Sequence, residues 1–251
     1  MLHVMHTAEL HGRLDLLPRL ASAVQQFRAQ HPHSLLLDSG GWSAPVDEDA
    51  TPERMRVTIE VMHHMGYHAA AVGLTDVARG LSQLLEVAGQ AGFPLLSANL
   101  RDSQGRPLPG IQATAVATVG GLRVGMVGLS SPSCARVGQS TVLDPESALL
   151  EACYEFRMQH VNKILMLSNV GAATDRALLR AVPRLTAIVG GGPAADQSAD
   201  SPRLFYTRSN SLGTLTINFS EPGGERGETH VGPNHEEPVE GLSPHGSGLA
   251  R

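Results

Sequence analysis

Short, nearly unbroken apolar runs alternate along this chain with segments whose apolar positions recur every three or four residues. The unbroken runs are Leu2–His6, Ser34–Leu37, Ala69–Val72, Pro94–Ser97, Leu122–Gly128, Lys163–Leu167 and Thr186–Val189. A run without polar alternation predicts a strand buried on both faces. The periodic segments predict amphipathic helices with three clear stripes: Leu17, Leu20, Val24 and Phe27; Met55, Ile59 and Met62; Leu149, Ala152, Cys153 and Phe156. Thr51-Pro52 and Asp144-Pro145 each set a capping oxygen ahead of a proline at the first helical position. Asp76 is placed to cap a helix carrying Val77, Leu81, Leu84 and Leu85. Ile111–Thr118 and Leu212–Phe219 alternate, which predicts antiparallel strands with one wetter face. Together the pattern predicts a layered α/β fold, with a largely parallel or mixed sheet arrangement, helices outside and antiparallel additions.

After Phe219 the pattern stops. The stretch from Ser220 to Arg251 is rich in Gly, Pro and Glu and has no aromatic residue, so it cannot bury enough apolar surface to offset its ordering entropy. The expectation is one folded domain over 1–220 and a disordered acidic tail over 221–251. The tail carries −4 of the formal net charge of −5, which leaves the body nearly neutral. No basic run could track a phosphate backbone, so charge-driven nucleic-acid binding is excluded. His230, His235 and His245 are spaced too loosely for a metal tract. No apolar run approaches a membrane span, and the start of the chain has no signal-peptide pattern. Cys134 and Cys153 fit neither a CxxC motif nor a disulfide framework and read as buried thiols. These features set the expectation of a cytoplasmic location.

In an open α/β sheet, ligands sit beyond the carboxyl ends of the strands. Glu9 and His11 follow the first strand and share a face if that strand continues. Asp38-Ser39-Gly40-Gly41 follows the second strand and Gly73-Leu74-Thr75-Asp76 the third. Ser168-Asn169-Val170-Gly171 and Gly190-Gly191-Gly192-Pro193-Ala194 follow two later ones.

This series resembles the calcineurin-like metallophosphoesterases, in particular their 5'-nucleotidase branch. HTAELHG (6–12) corresponds to the family's HTNDLHG, LLLDSGG (35–41) to LLLDxGD, and MGYHAAAVGLTDVARG (65–80) to MGYDAxxxGNHEFDxG. FPLLSANL (93–100), GLRVGMVGLSSP (121–132), LSNVG (167–171) and IVGGGPA (188–194) follow in family order. The resemblance covers about residues 2–219 and implies a metallophosphoesterase-like domain with mixed central sheets flanked by helices.

The resemblance also implies a two-metal site that polarises phosphoryl oxygens and generates a hydroxide nucleophile. Such a site needs several carboxylate, imidazole and carbonyl ligands. Matched position by position, the first Asp is Glu9 and the partner His is His11. The bridging Asp is Gly41, the Asn ligand Leu74, and the adjacent His Thr75. The His of LSHLG is Asn169, and the two imidazoles of GHxH fall on Gly192 and Ala194. Asp38 survives at a position behind the metals. Glu9 and His11 are thus the remaining metal-ligand candidates, a vestige of one half-site. The resembled 5'-nucleotidases also carry a C-terminal domain whose aromatics clamp the base, and no Phe or Tyr follows Phe219.

Other features read as structural. His64 and His68 are four apart, but the helix is expected to end near Gly66. Gly190-Gly191-Gly192 lacks the Lys-Ser/Thr of a P-loop. Trp42 is placed to fill the space vacated at position 41. The leading expectation is a non-catalytic member of this fold used as a binding or interaction module. No catalytic residue and no cofactor are assigned, a residual Mn, Zn or Co ion is allowed for, and a protein partner is preferred over nucleic acid or membrane. The alternative is a weak or altered metal-dependent phosphoesterase built on Glu9 and His11, with Asp38 or Asp76 recruited.

Overall fold

The structure, a computed structural model, describes residues 1–46, 51–137, 140–191, 201, 203–207, 211–219, 229–231 and 235–238. The expected first strand is β1 (Leu2–Ala8), followed by α1 (Leu17–Gln30) and β2 (Ser34–Asp38). Helix α2 (Pro52–Met65) leads to β3 (Ala69–Ala71), α3 (Leu74–Val77), α4 (Leu81–Ala88) and β4 (Leu95–Leu96). Then come β5 (Leu100–Asp102), β6 (Ile111–Gln112), β7 (Thr114–Val119), β8 (Leu122–Leu129), a 3₁₀ turn (Pro132–Arg136) and β9 (Ser140–Val142). Helix α5 (Pro145–Met158), β10 (Lys163–Ser168), α6 (Ala172–Ala181), β11 (Ala187–Gly191), β12 (Leu204–Thr207) and β13 (Ser211–Phe219) complete the main body.

Two sheets face one another. The first runs β13-β1-β2-β3-β4-β6, with β1, β2, β3, β4 and β6 parallel and β13 antiparallel to β1; the second runs β12-β11-β10-β8-β7, antiparallel only at β7. Strands β5 and β9 form a separate antiparallel pair. Successive side chains of a strand point to opposite faces, so each sheet feeds two cores. Between the sheets lie Val4, Leu35, Leu37, Ala69 and Leu96 from the first and Val124, Met126, Leu165, Leu167 and Val189 from the second. Outside the first sheet, Met5 and Leu36 pack with Leu20, Val24, Met55, Ile59 and Met62 of α1 and α2. Outside the second, Val127 and Ile164 pack with Leu149, Phe156 and Leu178 of α5 and α6. The helix–sheet–sheet–helix layering explains why the strands read as continuous apolar runs: both of their faces are buried.

The expected caps are present. Thr51 Oγ1 accepts from Arg54 N and Asp144 Oδ2 from Ser147 N, while α2 ends on Gly66 at φ +74°. Three expectations change. The alternating run Ile111–Thr118 is two strands in two sheets, with β6 parallel to β4 and β7 antiparallel to β8. One chain segment thereby crosses between layers at Ala113. Asp76 is not the cap of the helix that carries Leu81, Leu84 and Leu85, which starts after Gly80; it is the third residue of the short α3, and its carboxylate accepts from Gly73 N at the start of that helix. Within the stretch expected to be an unstructured tail, Thr229–Val231 (β14) and His235–Pro238 (β15) pair antiparallel with β13, whose exposed edge offers backbone groups regardless of side chain. The rest of 221–251 lies outside the described residues, His245 included. Both cysteines are buried and free, and burial pushes the Cys134 thiol up to about 12. Among the described residues, no helix is long and apolar enough to cross a membrane.

Candidate functional site

The carboxyl ends of β1, β2, β3, β10 and β11 converge, and the loops after β1 and β2 are stitched backbone to backbone. Glu9 N, His11 N and Gly12 N donate in turn to the carbonyls of Gly40, Gly41 and Trp42, each at 2.9 Å. The strand itself stops at Ala8. Glu9 and His11 adopt φ of 50° and 51°, the left-handed region that non-glycine residues seldom enter. They meet because this turn folds them together, not because a strand continues with period two: His11 Nε2 and Glu9 Oε2 are 2.8 Å apart. Each costs on the order of 1 kcal/mol in backbone strain, held in place by the paired loop at 40–42.

Glu9 has a second partner. Its Oε1 accepts from Asn169 Nδ2 at 2.9 Å, and Asn169 Oδ1 accepts from Leu74 N at 3.2 Å. Asn169 thus ties the loop after β1 to the loop after β3. Neither end of the Glu9 carboxylate is left over, and its side chain is 17% exposed. Beside it Gly41 has φ +79°, and a Cβ there would overlap Glu9 Oε2 and lie 2.6 Å from Cδ. Glu9, one methylene longer than Asp, therefore reaches into the volume that a side chain at position 41 would fill. Trp42, expected in that volume, is buried instead in the core beneath α1 and α2, its indole N–H on Ala71 O at 3.2 Å.

The floor is made by close backbone approach. A Cβ on Gly73 would lie 2.5 Å from Gly41 N, and one on Gly40 2.8 Å from Gly73 N. A Cβ on Gly191 would overlap the Ala8 methyl, so the end of β11 lies flush against the end of β1. Gly192 and Ala194 lie outside the described residues.

The two remaining carboxylates face backbone. Asp76 accepts from Gly41 N, Ser43 N and Gly73 N at 2.7–2.9 Å, holding two loops together. Burial still pushes its carboxyl up to about 6, against the pull of those three donors. Asp38 accepts from Thr7 Oγ1 at 2.6 Å and Gly40 N at 2.7 Å, and complete burial holds its carboxyl well above the usual range. Thr75 is half-buried, and its hydroxyl has no hydrogen-bond partner. Leu74 is exposed.

The polar residues that fix these loops were largely invisible in the sequence. Ser39 Oγ donates to Val189 O, bridging the two sheets at the site. Ser97, Asn99 and Ser130 form a buried network in which Ser130 Oγ donates to Val72 O. Below Asn169, Asp175 accepts from Ser168 Oγ at 2.7 Å and from the Tyr206 hydroxyl. Single serines after strands carry no periodicity or spacing, so only the two polar residues of SANL (97–100), set in an apolar run, offered a hint.

A metal at this site would find one carboxylate, one imidazole and one amide, already bonded to one another, and no side chain at 41 to join two ions. Among the described residues no group of three or more His, Cys, Asp or Glu could hold a metal. His63, His64 and His68 do not form one either. Of these, His68 Nδ1 accepts from Leu36 N at 3.1 Å, extending the β2–β3 ladder.

No protein-family model matches the chain. It is similar to the 5'-nucleotidase of Rattus norvegicus, 29% identical over 216 residues, and to that of Bos taurus, 29% identical over 222 residues. Each alignment covers 76% of this chain and 37% of the relative, so the chain spans well under half the length of these proteins. Among solved structures, the 5'-nucleotidase precursor of Thermus thermophilus superposes with TM-score 0.75 at 24% identity, covering 94% of this chain and 54% of that one. The calcineurin-like phosphoesterase YfkN of Bacillus subtilis superposes with TM-score 0.79 at 17% identity, covering 96% and 92%. The fold is that of the calcineurin-like phosphoesterases. The similarity is consistent with an N-terminal domain of the 5'-nucleotidase branch.

Proposed function

We propose that this chain is a degenerate, non-catalytic homologue of the 5'-nucleotidases that serves as a binding or interaction module. One observation carries the reading: the Glu9 carboxylate, bonded to His11 and Asn169, fills the volume beside Gly41 that a bridging ligand would need. A glycine cannot bridge two cations, and a longer side chain cannot be put back without displacing Glu9. Without a fixed pair of metals, in-line attack on phosphate loses both nucleophile activation and charge stabilisation. Asp38 and Asp76, the groups an altered phosphoesterase would recruit, are engaged with backbone N–H groups and Thr7, which favours the non-catalytic reading over that alternative.

The test is metal content after purification, followed by assays with Mn²⁺, Co²⁺ and Zn²⁺ on nucleoside monophosphates and a generic phosphodiester. Substoichiometric metal and no turnover above buffer are expected. Metal-dependent turnover that His11→Ala abolishes would overturn the proposal.

A further inference from the structure

Helix α5 buries Ala148, Leu149, Ala152, Cys153 and Phe156 against the second sheet and carries a second apolar stripe on its opposite side. Leu150, Tyr154 and Met158 are 49%, 62% and 63% exposed, and Leu143, just ahead of the helix, is 41% exposed. At 100° per residue, Leu150, Tyr154 and Met158 fall within about 80° of arc, one continuous ridge. These four are half of the large exposed apolar side chains among the described residues. Scattered exposed hydrophobics need no explanation, but a ridge does.

The charges beside the ridge point to what covers it. Glu146 and Arg157 are both exposed and lie on the same edge, about 20–40° to one side of Leu150. One sits in the first turn and the other in the last. A two-fold axis perpendicular to a pair of antiparallel helices brings like edges together and opposite ends together. Centred near residue 152, it sets Leu150 against Tyr154 of the other copy. The same operation sets Glu146 against Arg157 of the other copy, twice. The ridge and its charges are therefore self-complementary in a way a parallel arrangement is not.

We propose that the outer face of α5 is a docking surface for a second copy of this chain, forming an antiparallel, two-fold symmetric helix pair. The inference rests on α5 alone and stands apart from the reading of the Glu9 site. The contact is small: the 14-residue helix is about 21 Å long and the ridge from Leu150 to Met158 covers about 12 Å of it, in the class of weak, transient interfaces. Glu151, on the other edge, approaches its own counterpart near the axis and keeps the association weak. Glu155 lies further out, lining with Glu151 and Arg101 a groove of about 220 Å³.

Sedimentation velocity from about 5 to 500 µM spans the range such interfaces occupy. The wild-type chain is expected to shift from monomer to dimer across it, and Tyr154→Glu to remain monomeric with an unchanged melting temperature. Glu146→Arg and Arg157→Glu each place like charges in both facing pairs and are expected to weaken the dimer at least tenfold. An equimolar mixture of these two variants faces each reversed charge with its opposite, as does the double reversal E146R/R157E, and both are expected to recover dimer. A wild-type chain that stays monomeric throughout overturns the proposal. So does a dimer indifferent to Tyr154→Glu, or a mixture that fails to recover.

Discussion

At Gly41 two constraints act together: φ is +79°, and the space a Cβ would enter belongs to the Glu9 carboxylate. Their separation is measurable. Gly41→Ala forces a left-handed alanine, costing about 1–2 kcal/mol, and adds the overlap with Glu9, costing about 1–3 kcal/mol more. In a Glu9→Ala background only the first cost remains. Urea denaturation of the four members of that cycle is expected to show a coupling of about 1–3 kcal/mol. Additive values would mean that Glu9 does not occupy that volume. Asn169→Ala removes a hydrogen bond to Glu9 and one from Leu74 N, for which a loss of about 1–2 kcal/mol is expected in the same measurement. Thr75 behaves differently: its hydroxyl has no partner, so Thr75→Val is expected to be neutral or slightly stabilising.

Helix α2 shows how local signals combine into an element. Thr51 closes its start, Gly66 its end, and Arg28 of α1 donates to the carbonyls of Met65 and Gly66 at 2.5 and 2.7 Å. Thr51→Ala is expected to cost about 1 kcal/mol. Arg28→Ala, which strips two charge-assisted bonds from the other end, is expected to cost about 1.5–3 kcal/mol and to speed amide exchange in the last turn of α2. The cap at Thr51 was legible because capping is local chemistry. So were the strands, since burial on both faces writes an unbroken apolar run. What the sequence did not show depends on contacts between distant segments. Ile111–Thr118 alternates as one strand would, and nothing local marks Ala113 as the point where it changes sheets. Asp76 has the residue type of a cap, but N–H groups of Gly41 and Ser43, far back in the chain, join Gly73 N in deciding its position. At the site, sequence spacing named Glu9 and His11 correctly as neighbours for the wrong geometric reason. It could not show that Asn169 closes the carboxylate off.

Among the described residues, three carboxyls, Asp38, Asp76 and Asp175, are buried and bonded to hydroxyl or backbone N–H donors, and burial raises all three above the ordinary Asp range. His3 and His68 are lowered instead, chiefly by desolvation, so the native state resists their protonation below about pH 6.5. The two sets act in opposite directions on stability, and a raw pH profile mixes them. Asp175 separates them. It is a buried residue of α6, on the helix side of the second sheet, bonded to Ser168 and Tyr206, and burial pushes its carboxyl up to about 6. The folded chain therefore holds that proton more tightly than the unfolded chain. Its stabilising contribution is present in full below about pH 4 and is lost as pH rises through about 6. Holding that proton up to about pH 6 corresponds to about 3 kcal/mol across that window. Asp175→Asn keeps the shape and the oxygen that accepts from Tyr206 but has no proton to exchange. The difference in unfolding free energy between wild type and Asp175→Asn is expected to favour wild type progressively as pH is lowered from about 7 to about 4. A difference that stays flat with pH would mean that the Asp175 carboxyl titrates as an ordinary one, and that the Tyr206 and Ser168 hydroxyls offset its burial.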